Sequence, residues 1–202
     1  MWPSSITQGV LRLPKRECLR PESARSLLHA ERFARKALSP LDTMITIEFS
    51  SALQGGPGPY DIFRAIWENT RRAWNYRVKQ GKAQNTFDAA AVWENPSNGP
   101  IHVHCLLRWS PLDREDLDKR IRRALKKLAP NMPERCLKVQ QATSTSKVAK
   151  YMAKGIDAPY ADHFYLTHRP QGPIKHRRII ISRSLGPTAR KVYQQKHGKS
   201  PL

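Results

Sequence analysis

Pro100-Ile101-His102-Val103-His104-Cys105-Leu106-Leu107 reads as a β-strand, and the rest of the chain is organised around it. Its Ile, Val and Leu residues suit a pleated, half-buried surface, and Pro100 stands at the entrance, where a missing backbone donor costs least. Side chains at i and i+2 of a strand share a face, so His102 and His104 point one way while Val103 and Cys105 point the other. Two imidazoles on one pleat make a natural pair of metal ligands. The competing reading is two histidines on a polar sheet face. The neighbouring sequence weakens it.

Just upstream, Thr86-Phe87-Asp88-Ala89-Ala90-Ala91-Val92-Trp93-Glu94 reads as another strand and runs into Asn95-Pro96-Ser97-Asn98-Gly99, a dense cluster of turn formers. A hairpin here brings Glu94 close to Ile101 and His102. A carboxylate and two imidazoles can then converge on one cation. Whether Glu94 shares the histidine face depends on hairpin register and bulges, which the sequence leaves open.

At 202 residues the chain suits one domain with tails and can bury a real core. Lys plus Arg number 36 against 16 Asp plus Glu, a net charge of +20, which points to a polyanionic partner, above all nucleic acid. Ribosomal proteins are equally basic, so charge alone selects no function. The three cysteines, Cys18, Cys105 and Cys136, are far apart and odd in number, which implies no disulfide framework and fits a reducing, cytoplasmic setting. No stretch approaches the ~20 apolar residues of a membrane span, and Arg12, Lys15 and Arg16 break up any signal-peptide core. There is no internal repeat and no GxxxxGK[ST] loop, so the sequence carries no recognisable NTPase motor.

Three segments are expected: a basic, partly helical N-terminal extension over 1–40, a domain over 41–186 and a basic tail over 187–202. In the extension, the apolar spacing from Ser23 to Leu38 is helical, and such a helix either packs on the domain or lies along DNA; a flexible basic arm is the alternative for this segment. Met44 to Phe49 alternates as a first core strand. From Tyr60 to Lys79 the apolar positions, Trp67 and Trp74 among them, fall at helical spacing and read as core packing. Arg114 to Leu128 is a second amphipathic helix closed by Pro130 and Pro133, Leu137 to Gln140 a further strand, and Thr143 to Ser146 supplies caps for a third helix through Lys154, ended by Gly155. Strand, helix, strand, strand, helix, strand is the order of a ferredoxin-like or RRM-like α+β fold, an antiparallel sheet of about five strands with helices on one face and an open face for a site. From His163 onward there is no acidic residue, and Arg177 to Ser182 offers one more strand.

The stretch Lys147-Val148-Ala149-Lys150-Tyr151-Met152-Ala153-Lys154 adds the remaining chemistry. At helical spacing Lys147, Tyr151 and Lys154 stack on one face, with Val148 and Met152 on an apolar stripe. Tyrosine is a poor nucleophile at its usual pKa of about 10, but a divalent cation and ammonium groups nearby favour a phenolate and polarise a phosphate. Tyr76 and Tyr193 are also followed by lysine three positions on, at Lys79 and Lys196, but of the six tyrosines only Tyr151 has a second lysine, Lys147, one turn earlier as well.

A Glu-bearing strand, then His-hydrophobic-His, then Tyr-x-x-Lys on a helix resembles the HUH endonuclease superfamily, and within it the single-tyrosine rolling-circle replication initiators (Rep proteins) of plasmids and phages. The resemblance spans about 43–181, and Arg177 to Gly186 is similar to the Arg-rich strand and Ser-Arg-x-Leu-Gly ending of such initiators. It implies that Glu94, His102 and His104 bind Mg²⁺ or Mn²⁺, that Tyr151 attacks a DNA phosphate and that Lys154 orients the site or stabilises charge. It further implies nicking of single-stranded or hairpin origin DNA through a 5′-phosphotyrosine, with a host helicase and a host polymerase completing replication. Lys147, Lys150, Arg177, Arg178 and Arg183 are the expected DNA contacts. Tyrosine following the histidine pair, rather than preceding it, separates the chain from relaxases. Two alternatives stand beside this reading: a single-tyrosine HUH transposase, and a non-catalytic RRM-like nucleic-acid binder. The latter leaves the His, Glu, Tyr and Lys set to coincidence, and its usual stacking aromatics are replaced here by His102 and His104.

Overall fold

Ile45, Ile47 and Phe49 alternate with Met44, Thr46 and Glu48 along β1 (Thr43–Phe49), and Val103, Cys105 and Leu107 alternate with His102, His104 and Leu106 along β3 (Ile101–Leu107). In the computed structural model, which describes residues 17–49, 56–83, 86–97, 99–109 and 113–198, these two strands pair at the centre of one sheet. β2 (Ala89–Glu94), β4 (Leu137–Gln141) and β5 (Ile179–Ile181) complete it in the order β4-β1-β3-β2-β5, each neighbour antiparallel. With α2 (Pro59–Lys79) and α3 (Arg114–Leu128) as crossovers, β1-α2-β2 and β3-α3-β4 interleave as the expected ferredoxin-like α+β unit. The extra strand foreseen after Arg177 is β5, on the outer side of β2.

α2 and α3 bury the odd-numbered row. Ile62, Phe63 and Ile66 of α2 and Leu117, Ile121 and Leu125 of α3 close over Ile45, Ile47, Val103, Cys105 and Trp93. Trp93 is the keystone, 2% exposed, stacked on Phe49 at 5.5 Å between ring centres and edge-on to Phe63 at 5.4 Å. Trp67 and Trp74 pack as read from their spacing, on Phe87 and Trp109.

The second face differs from expectation in one respect: it is not bare. α1 (Pro21–Ala37) and α4 (Thr145–Met152) lie across half of it, burying Leu27, Ala30, Phe33 and Met152 against Met44, Val92 and Leu106. This is why Ala89 to Trp93 of β2 are buried on both faces and read as a continuous apolar run, with the buried Glu94 at its end. α1 begins on Pro21, whose absent N–H is an orphan there in any case. Its approach is tied down, since Leu19 N–H donates to Gly155 O at 2.6 Å and Asp157 N–H to Leu19 O at 3.1 Å. Glu31, 4% exposed, accepts from Thr145 Oγ1 at 2.6 Å and so joins α1 to the start of α4. Residues 187–197, read as tail, form α5 (Pro187–His197), and Tyr193 meets the Phe33 ring edge-on at 5.4 Å. Thus α1 and α5 belong to the folded unit, while 1–16 and 199–202 lie outside the described residues, as does the Ser110 to Leu112 entry to α3. The uncovered half of the second face is where the histidines end up. Among the described residues, no helix is long and apolar enough to cross a membrane.

Candidate metal centre and the Tyr151 helix

Register settles the point that sequence left open. Glu94 pairs directly with His102, and Val92 with His104, across β2–β3, so Glu94, His102 and His104 share the second face with no intervening bulge. Glu94 Oε2 lies 2.9 Å from His102 Nε2 and 3.5 Å from His104 Nε2, and one ligand atom from each of the three residues falls within 4.8 Å of the others. The outer nitrogens are engaged elsewhere. His102 Nδ1 donates to Pro100 O at 3.0 Å, and His104 Nδ1 meets Thr46 Oγ1, across β1–β3, at 2.9 Å. Outer bonds of this kind fix each ring and turn Nε2 inward.

The three groups are buried or nearly so, with Glu94 at 3% and His104 at 5% exposure. Burial disfavours the charged form of Glu94, yet its contacts with His102, His104 and Lys154 overcome that and hold the carboxyl well below the usual range. Burial also opposes the His102 imidazolium, but the bonds to Glu94 and Pro100 prevail and raise its pKa. His104 goes the other way: burial outweighs Glu94 and lowers its pKa, so a neutral ring is favoured. In the tautomer that donates Nδ1–H to Thr46, His104 Nε2 aims a lone pair at Glu94. Both His104 Nε2 and Glu94 Oε1 are buried without a hydrogen-bond partner. Unsatisfied buried acceptors carry a penalty of about 1–3 kcal/mol each, and a cation among them removes it. Two imidazoles and a carboxylate suit a divalent first-row metal, so the residues present fit a metal ion.

α4 delivers the rest. The helix ends at Met152, two residues short of the end expected from sequence, because Ala153 N–H donates to both Ala149 O and Lys150 O, and Lys154 N–H closes a tighter turn on Tyr151 O at 3.1 Å. That turn drops Lys154 into the site. Its Nζ is 2.7 Å from Glu94 Oε2 and 3.6 Å from the centre of the Tyr151 ring, a cation–π contact. The Tyr151 ring is itself 5.3 Å from the His104 ring, yet Tyr151 stays 45% exposed. So Glu94, His102, His104, Tyr151 and Lys154 form one cluster. Lys147, one turn before Tyr151, is exposed beside it in a groove of about 500 Å³ that also includes Thr46, His104 and Lys138.

The other expected DNA contacts scatter. Lys150 is exposed on the opposite flank of α4, and Arg177 and Arg183 are exposed around β5. Arg178 is a correction. It is 4% exposed, and its Nη1 and Nη2 donate to Trp93 O at 3.1 Å and Gly172 O at 2.7 Å, so the guanidinium braces the backbone beside Glu94 and does not face a DNA strand. Gly172 approaches the same turn so closely, its N–H 2.6 Å from Asn95 O, that a Cβ there would come within 2.2 Å of that oxygen. Thr46 went unread in the sequence. Its role follows from β1–β3 register alone, and no motif marks it. The chain matches no protein-family model and no curated protein.

Proposed function

We propose that the protein is a metal-dependent single-strand DNA endonuclease that nicks a replication origin through a tyrosine adduct, in the manner of a rolling-circle replication initiator. One observation carries this reading: a buried Glu94–His102–His104 triad stands against a half-exposed Tyr151 whose ring touches both His104 and Lys154. A structural tyrosine would be covered, and a surface tyrosine would not be set between a carboxylate-bound ammonium and a metal-type imidazole.

Glu94, His102 and His104 would hold Mg²⁺ or Mn²⁺, which when bound supplies Lewis-acid polarisation of a phosphate oxygen. Mixed nitrogen and oxygen ligands favour Mn²⁺ in affinity, while abundance favours Mg²⁺. The Tyr151 oxygen forms a bond to phosphorus as the P–O3′ bond breaks. The phenol proton passes to solvent and the departing 3′-oxygen gains one, leaving a 5′-phosphotyrosine and a 3′-OH that a host polymerase extends while a host helicase opens the duplex. Lys154, already facing the ring, neutralises charge on the phosphate, and Lys147 helps place the strand.

The test uses single-stranded oligonucleotides of randomised sequence with Mn²⁺, resolved on a denaturing gel. Wild type should give a covalent protein–DNA adduct that maps to Tyr151. Tyr151→Phe keeps the ring and removes the attacking oxygen, so it should bind Mn²⁺ and DNA but give no adduct. An adduct on another tyrosine, or cleavage by Tyr151→Phe, would overturn the mechanism.

A further inference from the structure

α4 is a ridge between two grooves. Lys147, Val148 and Tyr151 line the one that borders the candidate metal centre at His104, while Ser146 and Lys150 line another on the far flank, closed by α1 and residues 163–165. This second groove, of about 290 Å³, has nothing to do with the metal ligands. Its walls are cationic: Arg25, Arg32, Arg35 and Lys150 are all exposed there. Arg25 and Arg32 stand seven residues apart on α1, about 10.5 Å along the axis, far enough to hold different phosphates. Glu31 is the one acidic side chain lining the groove, and it is spent on Thr145 and on Arg35 Nε at 2.9 Å. Burial and the nearby guanidiniums of Arg190, Arg32 and Arg25 hold His29, between them on the helix, below its ordinary pKa. That is the mark of a positive field.

Aromatic rings complete the lining. Phe164 takes the Arg25 guanidinium over its face at 5.8 Å, and Tyr165 follows it. Tyr165 is the one described non-glycine residue with positive φ, at 53°, and it is 85% exposed. A bulky residue in the left-handed region costs about 1 kcal/mol or more, and here no burial offsets it. Glycine or asparagine would fold more easily at this position. The fold therefore gives no reason for an aromatic ring held open to solvent at the mouth of a cationic groove.

We propose that the α1–α4 groove is a second single-stranded-DNA contact site, in which Tyr165 stacks on a base while Arg25, Arg32 and Lys150 hold the flanking phosphates. Alternating cations and an exposed ring are what a sequence-tolerant single-strand site requires. The inference rests on the reading of the protein as acting on single-stranded DNA, and it extends that reading. The strand engaged at Tyr151 crosses the α4 ridge, ~10–12 Å wide with side chains, and is gripped on its far side. α1, which sequence treats as a peripheral extension, then becomes part of the substrate surface.

The probe is oligothymidine of about twenty nucleotides, plain for affinity and substituted with bromodeoxyuridine for photocrosslinking. Wild type should crosslink at Tyr165, by peptide mass spectrometry. Tyr165→Ala should weaken binding by about 5- to 150-fold, the range expected for removing one stacking platform. Arg25→Ala/Arg32→Ala should lower the slope of log K against log salt by about 1.4, two single-strand phosphate contacts at about 0.7 each. All three side chains are exposed, and an unchanged far-UV circular dichroism spectrum confirms that the variants are folded. Wild-type affinity and salt slope in all variants, with crosslinks confined to the Tyr151 groove, would overturn the site even if the Tyr151 adduct forms. Conversely, loss of the adduct reading alongside a Tyr165 crosslink would leave this site standing and remove only the nicking. Preference for anionic vesicles over oligothymidine, abolished by Arg25→Ala/Arg32→Ala, would also overturn it in favour of a membrane surface.

Discussion

Glu94→Gln should destabilise the metal-free protein far more than a surface carboxylate would, and the structure sets the size. Glu94 and Lys154 form an ion pair at 2.7 Å with side-chain exposures of 4% and 9%. Removing one partner of a buried pair costs about 3–5 kcal/mol, because the other charge stays behind. The upper end has its own bound: neutralising an ordinary lysine at pH 7 costs about 4.6 kcal/mol, so a stranded ammonium cannot cost more than that. For a chain of 202 residues this corresponds to a fall in Tm of roughly 7–11 °C. The measurement is a thermal melt in EDTA. Adding Lys154→Met to Glu94→Gln removes the stranded charge as well and should restore most of the loss, giving a strongly non-additive double-mutant cycle. A Tm for Glu94→Gln within about 1 °C of wild type, or additive effects in the cycle, would refute the ion pair as an energetic unit.

The pH dependence of the same difference has a definite sign. The folded-state pKa of Glu94 is depressed, so its contribution is fully present above the unfolded value of about 4.3 and is lost as pH falls through the folded one. The gap between wild type and Glu94→Gln should therefore close in acid.

Other expectations follow from single contacts. Thr46→Val removes the oxygen at His104 Nδ1 and keeps the β-branched shape, so Mn²⁺ affinity should fall by about 10- to 100-fold with little loss of fold, as read by calorimetric titration. In the metal-free protein, NMR titration should find His102 protonating above and His104 below an ordinary histidine. His102 thus stabilises below about pH 6.5 and loses that contribution as pH rises through its folded pKa, whereas His104 costs stability as pH falls below about 6.5. Arg178→Ala should lower stability by about 2–4 kcal/mol in urea unfolding, since it leaves the Trp93 and Gly172 carbonyls without their donor, and it should not alter the salt dependence of DNA binding.

Most of the sheet was legible because its signals are local. Alternation in β1 and β3, the turn cluster after Glu94 and the apolar period of α2 and α3 each rest on neighbouring residues, and each element appears within a few positions of its expected bounds. Two features were not legible, for one physical reason: they depend on what packs across the sheet. The covering of the second face by α1 is decided by Leu27, Ala30 and Phe33 meeting Met44, Val92 and Leu106, contacts between residues far apart in the chain. Arg178 reads as one more cation in a basic run, and only the tertiary structure shows it turned inward to two carbonyls. At the site, the residue types announced Glu94, His102, His104, Tyr151 and Lys154. Thr46 stayed hidden because a threonine in a strand is ordinary, and its meaning lies in being the β1 partner of His104.

That dependence on register explains how an all-apolar core serves a polar site. A slip of one residue between β2 and β3 would carry Glu94 to the opposite face from the histidines. The Glu94 contacts with His102 and Lys154 favour the native register, but these few polar bonds do not by themselves hold a strand. The resistance comes from the other face. Trp93, between Glu94 and Val92, is locked by Phe49 and Phe63, and Val103, between the two histidines, is fully buried in the same cluster. Moving β2 by one position would drive Glu94 into that core and expose Trp93, burying an unpaired carboxylate among aromatic rings, and moving β3 would bury the histidines and expose Val103. Arg178 adds a second lock, since Trp93 N–H donates to Arg178 O at 2.8 Å while the guanidinium takes Trp93 O. The odd-numbered row thus holds the even-numbered row in place, and the register that brings Glu94, His102 and His104 together is set by side chains on the far face of the sheet.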